Sequence, residues 1–149
     1  AAAWAMTHAG NSTSDADPAP GRIIPYRDAA AVARGATLYA DHCAACHGAD
    51  LEGQVPDWRV PGPDGLLPAP PHDASGHTWH HPYALLVDIV TRGTEAVVGG
   101  GYRSAMPGFG DVLTEAEILA TLAFIKSSWP PHVVEAHDAV TARAAAFGD

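Results

Sequence analysis

The sequence is poor in sulfur and in positive charge. Its 149 residues include two cysteines and two methionines, and 8 basic residues stand against 17 acidic ones, for a formal net charge of −9. We do not expect so acidic a chain to bind nucleic acid or anionic lipid, and a partner with a basic patch suits it better. Two cysteines also make no disulfide framework, which excludes the small disulfide-stapled scaffolds.

Long apolar runs are missing as well. No stretch approaches the ~20 apolar residues of a membrane helix, and the N-terminus has neither the basic nor the apolar region of a signal peptide. We therefore expect no transmembrane segment. The chain shows no convincing strand pattern and no internal repeat, while 47% of its residues are hydrophobic. The sequence thus predicts one helical domain.

Both cysteines and one of the nine histidines lie in residues 43–48, in the order Cys-Ala-Ala-Cys-His-Gly. This spacing predicts a c-type haem attachment site, in which Cys43 and Cys46 each add across one vinyl group and His47 coordinates the iron. A thiol redox pair or part of a zinc site is the alternative. A redox pair normally follows a strand of an α/β fold, and zinc requires a fourth ligand.

A second axial ligand has to come from elsewhere in the chain. Thioether sulfur suits haem iron and raises its reduction potential, and the two methionines are Met6 and Met106. A glycine-rich stretch precedes Met106, and Pro107 and Gly108 follow it, so the loop that presents the sulfur is conformationally restricted. We expect Met106 to be the ligand, although core filling is the usual role of a methionine.

Three segments with helical periodicity predict the main helices. They run from Asp28 to about Cys43, from Pro82 to Arg92, and from Thr114 to about Trp129. The third begins with a capping-box pattern formed by Thr114 and Glu117. Residues 48–77 show no helical or strand period and are interrupted by prolines, and a further alanine-rich helix is predicted over residues 132–147.

Three motifs in this order resemble the class I c-type cytochromes of bacteria: Gly35 and Tyr39 ahead of the cysteine motif, the segment Met106-Pro107-Gly108-Phe109, and the segment Leu122-Ala123-Phe124-Ile125-Lys126. The resemblance covers roughly residues 28–129. It implies an all-α cytochrome c fold, with three main helices and long loops wrapped around one covalent haem c, here with an extra C-terminal helical tail. It also implies that the first and last main helices cross at Gly35, with Tyr39 and Phe124 in contact.

The resemblance implies further contacts to the haem. A carbonyl in a proline-containing loop accepts the ring N–H of the ligating histidine, and the candidates are Pro68 to Pro71, with Pro70 taken as their representative. Trp79, His80 and Arg103 are candidate partners of the haem propionates, since a donor facing a carboxylate makes a charge-assisted bond. The histidine-rich residues 72–81 could form a second metal site or a propionate clamp. The favoured interpretation is a polar loop that covers the haem edge.

We expect a flexible N-terminal arm over residues 1–25, a cytochrome c domain over 26–130 and a C-terminal extension over 131–149. The expected function is a soluble, exported, periplasmic carrier of single electrons that is not an enzyme and docks on redox proteins with a basic patch. Three alternatives stay open. They are a haem c subunit docked in a larger oxidoreductase, a haem enzyme for peroxide or a gas ligand if Met106 is not bound, and a metal- or thiol-binding module without haem.

Overall fold

The computed structural model describes residues 24–148, which fold into helices joined by long loops. The elements are α1 (Ala29–His42), α2 (Ala44–His47), a 3₁₀ turn (Thr78–His80), α3 (Tyr83–Arg92), α4 (Thr94–Val98), α5 (Glu115–Ser127) and α6 (Pro131–Phe147). Among the described residues the β-structure is limited to a single bridge between Gly93 and Pro107. The predicted all-α class is therefore confirmed. Of the predicted arm, Ile24 is buried in the core, and residues 1–23 lie outside the described part.

The ends of the main helices follow local sequence signals. The Asp28 side chain accepts hydrogen bonds from the first backbone N–H groups of α1, and Thr114 and Glu117 form the predicted capping box at the start of α5. Trp129, expected in the same helix, lies two residues beyond the end of α5. The short helices α2 and α4 were not predicted, because segments of four and five residues are too short to show a period.

The closest helix packing is the crossing of α1 with α5. A Cβ atom added at Gly35 would overlap with the carbonyl oxygen of Ala120 and lie 3.0 Å from Cβ of Phe124. The rings of Tyr39 and Phe124 are in contact, with centroids 5.3 Å apart. The predicted crossing at Gly35 and its aromatic contact are both confirmed. The backbones approach closely only because residue 35 has no side chain, which offsets the ~1 kcal/mol that a mid-helix glycine costs.

The C-terminal helix α6 packs against the rest of the domain. It begins with Pro131, a favoured first-turn residue, and its side chains Val133 and His137 are buried. Further along α6, the Thr141 hydroxyl accepts the backbone N–H of Tyr83, the first residue of α3, at 3.2 Å. The predicted helical tail is therefore confirmed. None of the helices in residues 24–148 combines the length and the apolar character needed to cross a membrane.

A buried lysine joins α5 to α6. The Lys126 side chain is 2% exposed, and its ammonium nitrogen lies 3.0 Å from Nδ1 of His137 and 2.5 Å from Oδ1 of Asp138. The same ammonium lies 5.0 Å from the ring centroid of Tyr26, in cation–π range. Because Lys126 is the donor, Nδ1 of His137 accepts, and the proton of the neutral ring sits on Nε2. Three groups, the His137 ring, the Asp138 carboxylate and the Tyr26 ring, thus stabilise the charge of Lys126, as a buried cation requires.

His137 should remain neutral in the folded protein. Burial and, next, the charge of Lys126 lower the pKa of His137 to about 4, against smaller opposing effects of Asp138 and the His81 backbone. The His81 backbone lies near Nε2, yet this buried nitrogen makes no hydrogen bond of normal geometry within the described residues. A second positive charge here would lose its hydration and lie next to the charge of Lys126, and the opposing effects of Asp138 and His81 are too small to offset this.

Replacing Gly35 by alanine should destabilise the protein. At an exposed helix position this change stabilises by about 1 kcal/mol, but here the new Cβ meets the backbone of α5, which yields less readily than a side chain. We expect a loss of about 2 kcal/mol in the free energy of unfolding, measured by chemical denaturation. Ala33→Gly, at an exposed position on α1, is the control and should cost only about 1 kcal/mol. A Gly35→Ala protein at least as stable as the wild type would contradict the close crossing.

The stability of the protein should fall as the pH falls from about 6.5 to about 4. In this window the unfolded chain binds a proton at His137 that the folded chain does not bind, since folding lowers the pKa of this group to about 4. The contribution is on the order of 3 kcal/mol at most. His137→Gln keeps an acceptor for Lys126 but does not titrate, so denaturation curves across this window should show a smaller acid-induced loss. The control is His132→Gln, exposed on α6, and equal pH slopes in the two variants would refute the assignment.

Candidate haem site

The two cysteines lie one helical turn apart at the junction of α1 and α2. The N–H of Cys43 donates to the Tyr39 carbonyl at the end of α1, and the Cys43 carbonyl accepts the N–H of His47 at 2.9 Å. Cys43 is half-buried, Cys46 is exposed, and both thiols are free. A single turn therefore presents two thiols and an imidazole to one neighbouring group, as attachment to a flat macrocycle requires.

The properties of the thiols argue against a redox or zinc site. Burial and, next, the neighbouring Cys46 raise the pKa of the Cys43 thiol to about 11. A reactive Cys-x-x-Cys pair works in the opposite way, with a lowered thiol pKa. In the part of the chain that the structure describes, no group of three or more histidine, cysteine, aspartate or glutamate side chains is placed to hold a metal ion.

The imidazole of His47 is held by a backbone carbonyl. His47 is buried, and its Nδ1 lies 2.8 Å from the carbonyl oxygen of Pro70, to which it donates. Burial lowers the pKa of His47, with the hydrogen bond to Pro70 opposing this effect. The ring is therefore neutral, and Nε2 carries the lone pair that iron requires. Among the candidates Pro68 to Pro71, the structure places Pro70 at the contact that the resemblance implies.

Hydrogen bonds on both sides of Pro70 fix its carbonyl. The N–H of Ala69 donates to the Gln54 side chain at 3.0 Å, and the Ala69 carbonyl accepts the Gln54 N–H at 2.9 Å. On the other side, the N–H of His72 donates to the Leu51 carbonyl at 2.9 Å. The segment that contains Pro70 is thus tied to the loop that directly follows the cysteine motif.

Two glycines allow these loops to come close. A Cβ atom at Gly53 would lie 2.8 Å from the nitrogen of Pro71, and one at Gly76 would overlap with the carbonyl oxygen of Pro71. Gly53 also has a positive φ of 82°, which favours glycine in any case. The sequence analysis did not identify either glycine, because a close approach between loops leaves no mark in local periodicity.

The structure adds His72 to the site. Its ring stacks on the ring of His47, with centroids 4.0 Å apart and an interplanar angle of 28°. Nδ1 of His72 lies 2.6 Å from the hydroxyl oxygen of Thr78, and the His72 carbonyl accepts the indole N–H of Trp129 at 2.8 Å. Sequence analysis included His72 only as part of the histidine-rich segment. The sequence signal that could have identified His72 is its position two residues after Pro70. In an extended segment, residues two apart lie on the same side of the chain.

The loop that carries Met106 is anchored to α3 and to the cysteine motif. Met106 is half-buried, and its N–H donates to the Ser104 hydroxyl at 3.2 Å. Three residues later, the N–H of Phe109 donates to the Val90 carbonyl at 2.8 Å. The Phe109 ring also contacts the ring of His42 edge-on, with centroids 6.1 Å apart. Since His42 directly precedes the first cysteine, this contact ties the methionine loop to the attachment motif.

The candidate propionate partners lie in two different segments. Trp79 and His80 are on the 3₁₀ turn with their rings stacked at 3.7 Å, and Arg103 is exposed in the loop before Met106. The indole N–H of Trp79 donates to the Ala74 carbonyl at 3.2 Å, so this donor already has a partner. The propionate roles of these three residues stay predictions.

The donor set suits a covalently bound haem. It combines two free thiols one turn apart with a neutral imidazole whose Nδ1 is engaged and whose Nε2 makes no hydrogen bond to any described residue. Met106, whose backbone N–H is bonded to Ser104, stays the predicted second ligand, and its thioether sulfur is a soft donor. Every donor is thus of a type that haem c uses.

Comparisons with known proteins agree with this chemistry. A family model described as cytochrome c matches residues 32–129. The cbb3-type cytochrome c oxidase subunit CcoP of Azospirillum sp. (strain B510) is 33% identical over 98 residues, which are 66% of this chain and 29% of that protein. The gluconate 2-dehydrogenase cytochrome c subunit of Pantoea cypripedii is 32% identical over 96 residues, 64% of this chain and 20% of that protein. No solved structure matches.

The chain thus spans less than a third of the length of either relative. The family match nevertheless covers α1 from its fourth residue onward, α3, α5, the cysteine motif and the methionine loop. Covalently bound haem c belongs to this family, and Cys43 and Cys46 have the spacing of its attachment motif. The chain is a haem protein of electron transfer and belongs to the cytochrome c family.

Proposed function

We propose that this protein is a soluble periplasmic carrier of single electrons, with haem c attached through Cys43 and Cys46 and ligated by His47 and Met106. The observation that carries the proposal is the hydrogen bond from His47 Nδ1 to the Pro70 carbonyl, which leaves Nε2 as the ring nitrogen for iron. Bound haem c supplies a one-electron couple, in which the iron alternates between Fe(III) and Fe(II).

The chain's own residues hold the ligands in place. Pro70 fixes the tautomer of His47 and increases its basicity, and backbone bonds between the methionine loop and α3 restrict Met106. If His47 and Met106 both ligate the iron, no open position would remain for a peroxide or a gas. We therefore propose that the protein is not an enzyme. His80 and Arg103 are exposed, and we propose them as donors to the propionates.

The charge of the chain suggests its kind of partner. A formal net charge of −9 favours a redox protein with a basic docking patch. Encounters between electron-transfer proteins bury little surface and weaken as salt screens the charges. The periplasmic location rests on the haem, because c-type cytochromes are matured outside the bacterial cytoplasm.

A second candidate function is a haem c unit within a larger oxidoreductase. The names of the two relatives favour it, since one is a subunit of an oxidase and the other a subunit of a dehydrogenase. The chemistry at the iron is the same in both cases. The two candidates differ in the size of the native particle, which size-exclusion chromatography of the protein from its own cells measures.

Removing the Met106 sulfur should change the spectrum and the reduction potential. The oxidised wild type should show the weak far-red sulfur-to-iron band, and Met106→Ala should lose it. The potential should fall by on the order of 0.1 V or more, within the roughly 0.8 V over which axial ligands set haem potentials. Met6→Ala is the matched control and should keep both properties.

Covalent attachment is tested on the same samples. The haem of the wild type should stay with the protein during acid–acetone extraction. Extractable haem would contradict attachment through Cys43 and Cys46, and a wild type without the far-red band would favour the enzyme alternative.

Gly76→Ala should raise the reduction potential by tens of millivolts. The added Cβ overlaps with the Pro71 carbonyl and should displace the segment that holds Pro70, which weakens the hydrogen bond to His47. A weaker bond makes the imidazole a poorer donor and disfavours Fe(III). Gly62→Ala is the control, since its nearest neighbour would be a movable Asp64 oxygen at 3.2 Å. Equal potentials in the two variants, measured by spectroelectrochemistry, would count against the Pro70 contact.

A further inference from the structure

One face of the His47 ring is covered by a second imidazole. The rings of His72 and His47 are nearly parallel, with centroids 4.0 Å apart. The hydrogen bond to Pro70 lies at the edge of the His47 ring and holds Nδ1, not the face. A hydrogen bond tolerates angular deviations of tens of degrees, so by itself it resists tilting of the ring only weakly. The stacked ring of His72 blocks this tilt from one side.

His72 is itself anchored at both backbone groups and at its ring. Its N–H donates to the Leu51 carbonyl at 2.9 Å, and its carbonyl accepts the indole N–H of Trp129 at 2.8 Å. Its Nδ1 pairs with the hydroxyl oxygen of Thr78 at 2.6 Å. Thr78 is buried and also reaches the Pro71 carbonyl at 3.5 Å. The stacked ring is therefore a fixed surface rather than a mobile side chain.

We propose that His72 is a positioning residue for the iron ligand, and that its ring holds the plane of the His47 imidazole in one orientation about the bond from Nε2 to iron. The proposal rests on the proposed function, because it requires His47 to be that ligand. A simple apolar side chain would fill the same space without a polar ring to satisfy. The chain instead places an imidazole here and provides Thr78 as its hydrogen-bond partner.

The orientation of an axial imidazole is measurable. In oxidised low-spin haem it determines, together with the orientation of the second axial ligand, how the unpaired spin spreads over the porphyrin. The paramagnetically shifted haem methyl resonances in proton NMR report this distribution. A residue that only stabilises the fold would lower the melting temperature and leave this pattern unchanged. NMR of the haem-loaded protein therefore separates a positioning role from a structural one.

The experiment compares the haem methyl pattern in His72→Ala, His72→Phe and the control His77→Ala. His77 lies in the same segment but packs on Trp58 and His81. We expect His72→Ala to shift the methyl resonances and change their order. His72→Phe should retain a pattern close to the wild type, because it keeps a ring stacked on His47. His77→Ala should leave the pattern unchanged. A wild-type pattern in His72→Ala would overturn the proposal, and so would equal displacement in the alanine and phenylalanine variants.

If His72→Ala does not fold, Thr78→Val decides the question. This change keeps the volume and removes the oxygen that fixes Nδ1 of His72. A displaced methyl pattern supports the proposal, and an unchanged pattern overturns it. Failure of the proposed function gives a different result, which is seen in the wild type. A wild-type protein without the far-red band or without low-spin methyl shifts would show that His47 and Met106 are not the axial pair, whatever the spectra of the variants.

Discussion

The hydrogen bond between the His47 imidazole and the Pro70 carbonyl is the contact around which the irregular half of the domain is arranged. The position of this carbonyl is fixed because two segments lie side by side, namely the loop after the cysteine motif and the proline-rich segment. Gln54 and Leu51 provide the bonds that join them. The loop over residues 48–77 contains no helix or strand before the 3₁₀ turn and is ordered by such bonds instead of by a periodic apolar face.

The helix crossing at Gly35 positions both ends of this site. From the crossing, α1 leads directly to Cys43, and α5 leads to Trp129, whose indole N–H holds the His72 carbonyl. The edge of the Trp129 ring also meets His137 of α6, with centroids 5.3 Å apart. A chain of contacts through Trp129 and His72 therefore links the C-terminal helix to the His47 imidazole. This helix is thus packed against the rest of the domain and is in contact with the segment that carries His72.

The sequence was most informative where the determinants are local. The Asp28 cap, the capping box at Thr114 and the cysteine motif each lie within a few residues, and the structure has them as predicted. Identifying Pro70 among the candidates Pro68 to Pro71 requires knowing which loop lies opposite His47. The local sequence pattern does not contain this information. Lys126 is similar, since a lysine in the last turn of a helix normally reaches solvent, and only the docking of α6 explains its burial.

The placement of the two candidate ligand segments agrees with the proposed role in electron transfer. His47 is held from the proline-rich loop, whereas the Met106 loop is held by the backbone of α3, so each ligand has its own anchor. The ring contact between Phe109 and His42 then links the two anchors next to the first cysteine. If His47 and Met106 ligate the iron as proposed, contacts of the protein hold both of them in place when the iron gains or loses an electron. The proposed one-electron chemistry would then require little reorganisation of the protein. Gly53 and Gly76 contribute to this rigidity, because each allows a close approach between backbone segments of the loops.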